Sequence, residues 1–255
     1  MWSRPGFWRS GCLEGPQLTT GTLALASARI VTMADDHVIE RGTIVVDGSR
    51  IACVGDCDTS SADRVVDVSG KTIIPGLLDV HAHHLTFAGN SFIPPQRRHE
   101  SARYLVYSVT TTHNPSADIA RGAGHVAVGA HGEVDGLGAH WEMWALGEAM
   151  TPLEALKAGT ISAARFIGLE QDIGSIKVGK IADLAVLDNN PLDDIRLSSE
   201  VSLVMVGGNL FDARTLRQTW PIERDYGPPP WANDDITRTD VRADDYWDRR
   251  PSGEP

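Results

Sequence analysis

Cysteine is scarce: Cys12, Cys53 and Cys57 are the only three in 255 residues. That number excludes the disulfide framework of a small secreted domain. Cys53 and Cys57 also lack the two-residue spacing of a CxxC redox or zinc pair, so the expectation is free thiols in or beside a strand. Positive charge is in deficit. Lys and Arg total 23 against 34 Asp and Glu, a formal net charge of −11, which argues against a nucleic-acid-binding face or an anionic-membrane partner. No run approaches the roughly 18 apolar residues of a membrane span. Met1 to Gln17 contains no apolar core of a signal peptide, so the reading is a cytoplasmic chain without one. What is present is ordinary for a globular protein: 42 % hydrophobic and 22 % charged residues. Whole-chain disorder is thereby excluded, and the length allows one large domain or two small ones.

Residues 1–21 carry no pattern and read as a leader. From Thr22 to Gly76 the text is β. Leu23–Met33 reads as one strand. Gly42–Val46 and Arg50–Val54 flank a turn signal at Asp47–Ser49 and read as a hairpin. Arg64–Val68 and Lys71–Ile74 follow as short strands, and Pro75-Gly76 breaks the pattern. The middle mixes types. Leu77–His83 reads as a strand running into a polar loop, Ser101–Tyr107 as a helical turn, Val109–His113 and His125–Gly129 as strands. Thr151 is a strong helix start, with Pro at the first turn and Glu three residues on. That helix is expected to run to about Phe166 and to be capped by Gly168. β patterning then resumes in Lys180–Leu187, Val201–Val206 and Asn209–Phe211. Residues 221–255 hold six of the fourteen prolines and nine acids against five Arg, and residues 213–255 read as a Pro-rich acidic tail.

One string carries chemistry: Ile74–His83, with Asp79, His81 and His83 two apart. In a strand such residues face one side. Two imidazoles so spaced can grip one divalent metal from the end of a strand. Gly42–Val46, Gly70–His83, Thr151–Leu156 with Ala163-Ala164, and Gly174–Leu184 together resemble the amidohydrolase superfamily of metal-dependent hydrolases. Gly129–Gly132 and Gly136–Glu142 resemble its imidazolonepropionase-related branch. The resemblance implies an α/β plus β fold: a composite β-sandwich made by residues 22–76 and 177–212, with a TIM-type (β/α) barrel region between them at 77–176. It implies His81 and His83 as metal ligands on the first barrel strand. The divalent metal, Zn²⁺ by its donor set, would activate a water that attacks a C–N bond of a small, cyclic amide. His131 stands where the family places a proton-shuttling Asp on strand eight, and a His there serves as a ligand or as the catalytic base.

The count of residues disagrees with a whole barrel. A complete one takes about 250 residues, and each βα unit about 30. Only residues 84–124 separate the end of strand one from the strand-eight candidate. The barrel is therefore expected to be incomplete and internally shortened, with the join near Asp118–Gly124. The family's ligands on strands four, five and six have no counterpart, so hydrolysis is expected to be impaired. The rival reading is a non-catalytic remnant that binds metal weakly or associates into a homo-oligomer through uncovered strands. Asp79 more often orients a ligand than binds metal. His113 ends a strand beside the same mouth. His140 and Glu142 either line a pocket for an amide or pack in the core. His84, His99, His125 and Asp135 read as packing, solvated or turn residues.

Overall fold

The structure is a computed structural model that describes residues 7–9, 19–35, 37–82, 86–88, 91–93, 104–113, 126–130 and 136–227. Its largest element is a nine-stranded sheet. The chain contributes β1 (Phe7–Arg9), β2 (Thr22–Val31), β3 (Val38–Asp47), β4 (Arg50–Gly55), β5 (Arg64–Asp67) and β6 (Thr72–Pro75) before the middle. After it come β11 (Leu184–Leu187), β12 (Val201–Val206), β13 (Asn209–Asp212) and β14 (Gln218–Trp220). The sheet runs β14-β13-β12-β11-β6-β2-β3-β4, with β5 also on β2. The seam between early and late chain is β6 against β11, antiparallel from Leu184↔Pro75 to Leu187↔Thr72.

β2 has two parallel partners in succession. Leu23–Ala26 pair with β5, and Arg29-Ile30 pair with β6. Between them Ser27 takes φ 69°, which breaks the register of β2 against β3. The hairpin β3–β4 forms as the turn signal predicts, with Gly48 at φ 55°.

The alternation of side chains fixes what each face covers. Ile73, Leu184, Val186, Met205 and Leu210 enter one core cluster with Leu23, Leu25, Ile44 and Val46. Their neighbours Ile74, Ala185, Leu187, Val204 and Phe211 enter another, with Leu77, Tyr104, Met143 and Leu156 from the middle of the chain. A strand sends successive residues to opposite faces. The central strands are thus buried on both sides and read as unbroken apolar runs.

The middle is built differently. β7 (Leu77–Asp79) and β10 (Val109–His113) pair in parallel, and β1 pairs antiparallel with β10. β8 (Thr86–Ala88) and β9 (Ser91–Ile93) form a small hairpin that the patterning did not reveal. Three helices follow: α1 (Leu137–Gly147), α2 (Pro152–Ala158) and α3 (Ile161–Phe166). No closed barrel is present among the described residues. No helix among them is long and apolar enough to cross a membrane.

Several expectations are corrected. The helix from Thr151 starts with the anticipated capping box but stops at Ala158. Gly159 and Thr160 interrupt it, and the carbonyls of Ala158 and Gly159, freed from the helix, accept Val128 N–H (3.1 Å) and Leu78 N–H (2.9 Å). Residues 126–130 carry no strand, and His125 lies outside the described residues. Of the expected helical turn 101–107, residues 104–106 are helical. The leader contributes β1, and Thr19 is buried with its hydroxyl donating to Gly207 O (2.8 Å). The sheet extends past residue 212 through β14 to a bridge between Gln218 and Arg224, while residues 228–255 lie outside the described residues. Cys53 and Cys57 are not free thiols but a disulfide. The end of β4 and the turn beyond it bring their Cα atoms to 6.0 Å, within bridging range.

Candidate functional site

The expected shared face of Asp79 and His81 does not arise from a strand, and His83 lies outside the described residues. β7 ends at Asp79, so strand alternation stops there. A side-chain-to-backbone turn replaces it. The buried Asp79 carboxylate accepts the N–H of His81 through Oδ1 at 2.9 Å. Short acidic side chains commonly capture the amide two residues on. His81 is half-buried in the turn so formed.

The same Oδ1 accepts a second amide, from Ala130 at 3.1 Å. That bond crosses from the end of β7 to the segment 126–130. Three more contacts hold the segment. Val128 O accepts Val80 N–H (3.0 Å) and Val128 N–H reaches Ala158 O. Gly129 N–H donates to Glu142 Oε2 of α1 at 2.7 Å. The approach is close: a Cβ on Gly129 would lie 2.7 Å from the Cβ of His81. Glycine is therefore required there for steric reasons.

His140 and Glu142, two residues apart on α1, have different surroundings. His140 is fully buried. One ring nitrogen meets Ser198 Oγ (2.9 Å) and the other Tyr107 O (2.8 Å). Tyr107 packs edge-on at 5.9 Å between ring centroids. His140 therefore joins α1 to the turn before β10 and to the 3₁₀ helix Ile195–Ser199, and its side chain belongs to the core. Glu142 is half-buried and turned towards Gly129. His113 is the last residue of β10, opposite Phe7. His83, His84, His99, His131 and Asp135 lie outside the described residues. Among the described residues no group of three or more His, Cys, Asp and Glu is arranged to hold a metal.

Two charged residues of the Gly174–Leu184 stretch have structural work that the sequence reading left unassigned. Lys180 is 8 % exposed, and its Nζ donates to Glu170 O (2.6 Å), Ile173 O (3.1 Å) and Ser175 Oγ (2.6 Å). Burial pushes its ammonium below the usual lysine range, with Lys177 adding to the effect. Asp183 accepts Gly207 N–H (2.7 Å), which ties the start of β11 to the β12–β13 turn. Neither lies in the turn after β7. A cleft of about 470 Å³ opens at the β5–β6 side of β2, bordered by Arg29, Arg41, Lys71 and Asn189. Arg29 pairs with Glu40 and Lys71 with Asp188, and no residue of β7, of 126–130 or of α1 lines it.

Comparison with known proteins gives a consistent family. Residues 139–211 match the model of the Amidohydrolase family. An imidazolonepropionase of Roseobacter denitrificans is 33 % identical over 110 residues, covering 37 % of this chain and 28 % of that protein. A 5′-deoxyadenosine deaminase of Methanobrevibacter smithii is 51 % identical over 55 residues, covering 22 % of this chain and 13 % of its own length. The chain thus matches less than a third of the length of these curated relatives. Among solved structures, molinate hydrolase superposes with a TM-score of 0.63 at 13 % identity, covering 78 % of this chain and 96 % of that one. That likeness concerns the fold alone.

Proposed function

This chain belongs to the amidohydrolase superfamily, and from that premise we propose that it is a metal-dependent hydrolase of carbon–nitrogen bonds in small amides, cyclic amides foremost. In this reading residues 22–76 and 177–212 form a composite β-sandwich, and residues 77–176 are the remainder of a barrel. His81, His83 and His131 hold one divalent metal, Zn²⁺ by the chemistry of three neutral imidazoles. The donor chemistry fits a metal with an open fourth position, although only His81 of the three lies among the described residues.

The observation that carries the reading is the double acceptance by Asp79. One carboxylate oxygen takes the amides of His81 and Ala130, and Ala130 immediately precedes His131. The backbone at His81 and the backbone leading into His131, two of the three proposed ligands, are thereby tied to a single buried group at the C-terminal end of a parallel strand. A site held by such bonds keeps its ligands oriented before any ligand binds. When bound, the metal supplies a water acidified towards a pKa of about 7. His131, if not fully committed as a ligand, is the group able to accept a proton. The carboxylate and two further imidazoles of the family's middle strands have no counterpart in this sequence. Each such loss costs on the order of 10²-fold in rate, so turnover is expected well below the usual range of about 1–10³ s⁻¹.

Elemental analysis of the purified chain tests this. The expected result is about one zinc per chain, lost in His81→Ala, with slow metal-dependent hydrolysis of a cyclic amide. Zinc content that is negligible, or unchanged by His81→Ala, overturns it.

A further inference from the structure

We infer that Glu142 is a positioning residue for the site at the end of β7, acting through the backbone of Gly129 on His81. The inference rests on the reading of that turn as the functional site.

Residues 128–130 carry three successive amides, and three different elements take them. Ala158 O, at the end of α2, accepts Val128 N–H. Glu142 of α1 accepts Gly129 N–H, and Asp79 of β7 accepts Ala130 N–H. No strand ladder covers this segment, so the two carboxylates supply what a neighbouring strand would supply elsewhere. Among the described residues Glu142 makes this one hydrogen bond. A half-buried carboxylate directed at a single backbone amide makes a short, charge-assisted bond, stronger than one between neutral groups.

The amide so held belongs to the residue that touches His81. With 2.7 Å between the Cβ of His81 and where a Cβ on Gly129 would stand, no side chain fits between the two. Any displacement of Gly129 away from Glu142 alters the wall against which the His81 side chain rests. Asp79 fixes the backbone of His81 from one side, and Glu142 fixes its packing surface from the other. Sequence spacing alone hides the connection, because Glu142 stands 61 positions after His81.

Amide exchange by NMR on the full, metal-free chain reads the clamp directly. In Glu142→Ala, Gly129 and Ala130 should exchange about 10-fold faster or more. Core amides of β12, such as Val204, should keep their rate, and the His81 ring resonances should shift. Glu142→Gln retains an acceptor oxygen and should recover most of both effects. Zinc competition against a chelator adds a second readout: about 10-fold weaker binding in Glu142→Ala, recovered for the most part in Glu142→Gln. Unchanged exchange at 129–130 overturns the clamp. Faster exchange spread evenly through the core reduces Glu142 to a stabilising residue and overturns the proposal. So does a local exchange effect with unmoved His81 resonances. A wild-type chain that binds no zinc defeats the metal reading of the preceding section, while exchange and ring resonances still decide the role of Glu142.

Discussion

The nine-stranded sheet and the turn after β7 are held together by different means. In the sheet, backbone meets backbone over long registers: β2 against β3 runs from Thr22↔Asp47 to Val31↔Val38. Both faces of β6, β11 and β12 are apolar and covered. Around β7, a three-residue strand gives way to single contacts, and carboxylates of Asp79 and Glu142 take amides that no strand partner reaches. Burial and ladders spread stability over many residues, whereas a carboxylate concentrates it on one atom. The scaffold should therefore respond to substitution in its global stability, and the turn in its local geometry.

The sharpest way to break this contrast is a cavity in the sheet. Leu184 is fully buried in β11, flanked by β6 and β12. Leu184→Ala should cost about 2–5 kcal/mol, read as a lower urea midpoint at unchanged slope. If Glu142→Ala costs as much, the two regions are not distinct. Next in size is a pair of glycines. A Cβ on Gly208, at φ 82°, would stand 2.0 Å from Gly48 O, where backbone meets backbone. Gly208→Ala should therefore cost about 1–3 kcal/mol. Gly129→Ala meets a side-chain atom of His81 instead. It should lose less stability, but displace the His81 ring resonances and weaken zinc binding. Equal effects of the two substitutions on His81 would remove the distinction.

This contrast also explains what the sequence made legible. Ladders depend on local alternation, and the hairpin at Asp47–Ser49, the strands at Thr72, Leu184 and Val201, and the capping box at Thr151 were all readable in it. The site is made of long-range bonds between residues whose local signals say something else. Asp79 reads as a strand residue in an HxH string, yet its carboxylate ends the strand by capturing His81 N–H. Residues 126–128 are Val-Ala-Val and read as β, but they lie between β7 and the end of α2 without joining a ladder. The helix from Thr151 breaks at Gly159 because the carbonyls there are needed by Leu78 and Val128, a demand no window of sequence contains. Cys53 and Cys57 are four apart, and only the turn beyond β4 makes that separation bridgeable.

A smaller effect belongs to the start of α2. Thr151 Oγ1 accepts Glu154 N–H, and Glu154 Oε2 accepts Thr151 N–H in return. Thr151→Ala should cost about 0.5–2 kcal/mol. Because α2 ends on the carbonyl that receives Val128, fraying should also raise amide exchange at Val128 more than at Val204. Equal exchange at the two positions would separate the cap from the site.

The smallest expected effect is a slope with pH, and it tests how the scaffold treats a buried charge. Two influences oppose each other at Lys180. Burial and the charge of Lys177, with a smaller contribution from Arg165, disfavour the ammonium, while Glu170 and Asp172 favour it. The balance leaves its pKa lowered in the folded chain, against about 10.4 when unfolded. Between the lowered value and about 10.4 the unfolded chain binds more protons, so this group's contribution to stability rises with pH across that window. Above it both states are neutral and the contribution is level; below it both are charged and the cost of burying the ammonium is fully present. Subtracting Lys180→Met from the native chain removes every other titration to first order. The difference in unfolding free energy should therefore climb with pH on approaching about 10.4 and level off above it. A difference that falls over this range would mean that the two carbonyls and Ser175 Oγ stabilise the ammonium by more than its burial opposes it. Lys180 would then be a charge the loop is built to hold rather than one the sheet merely tolerates.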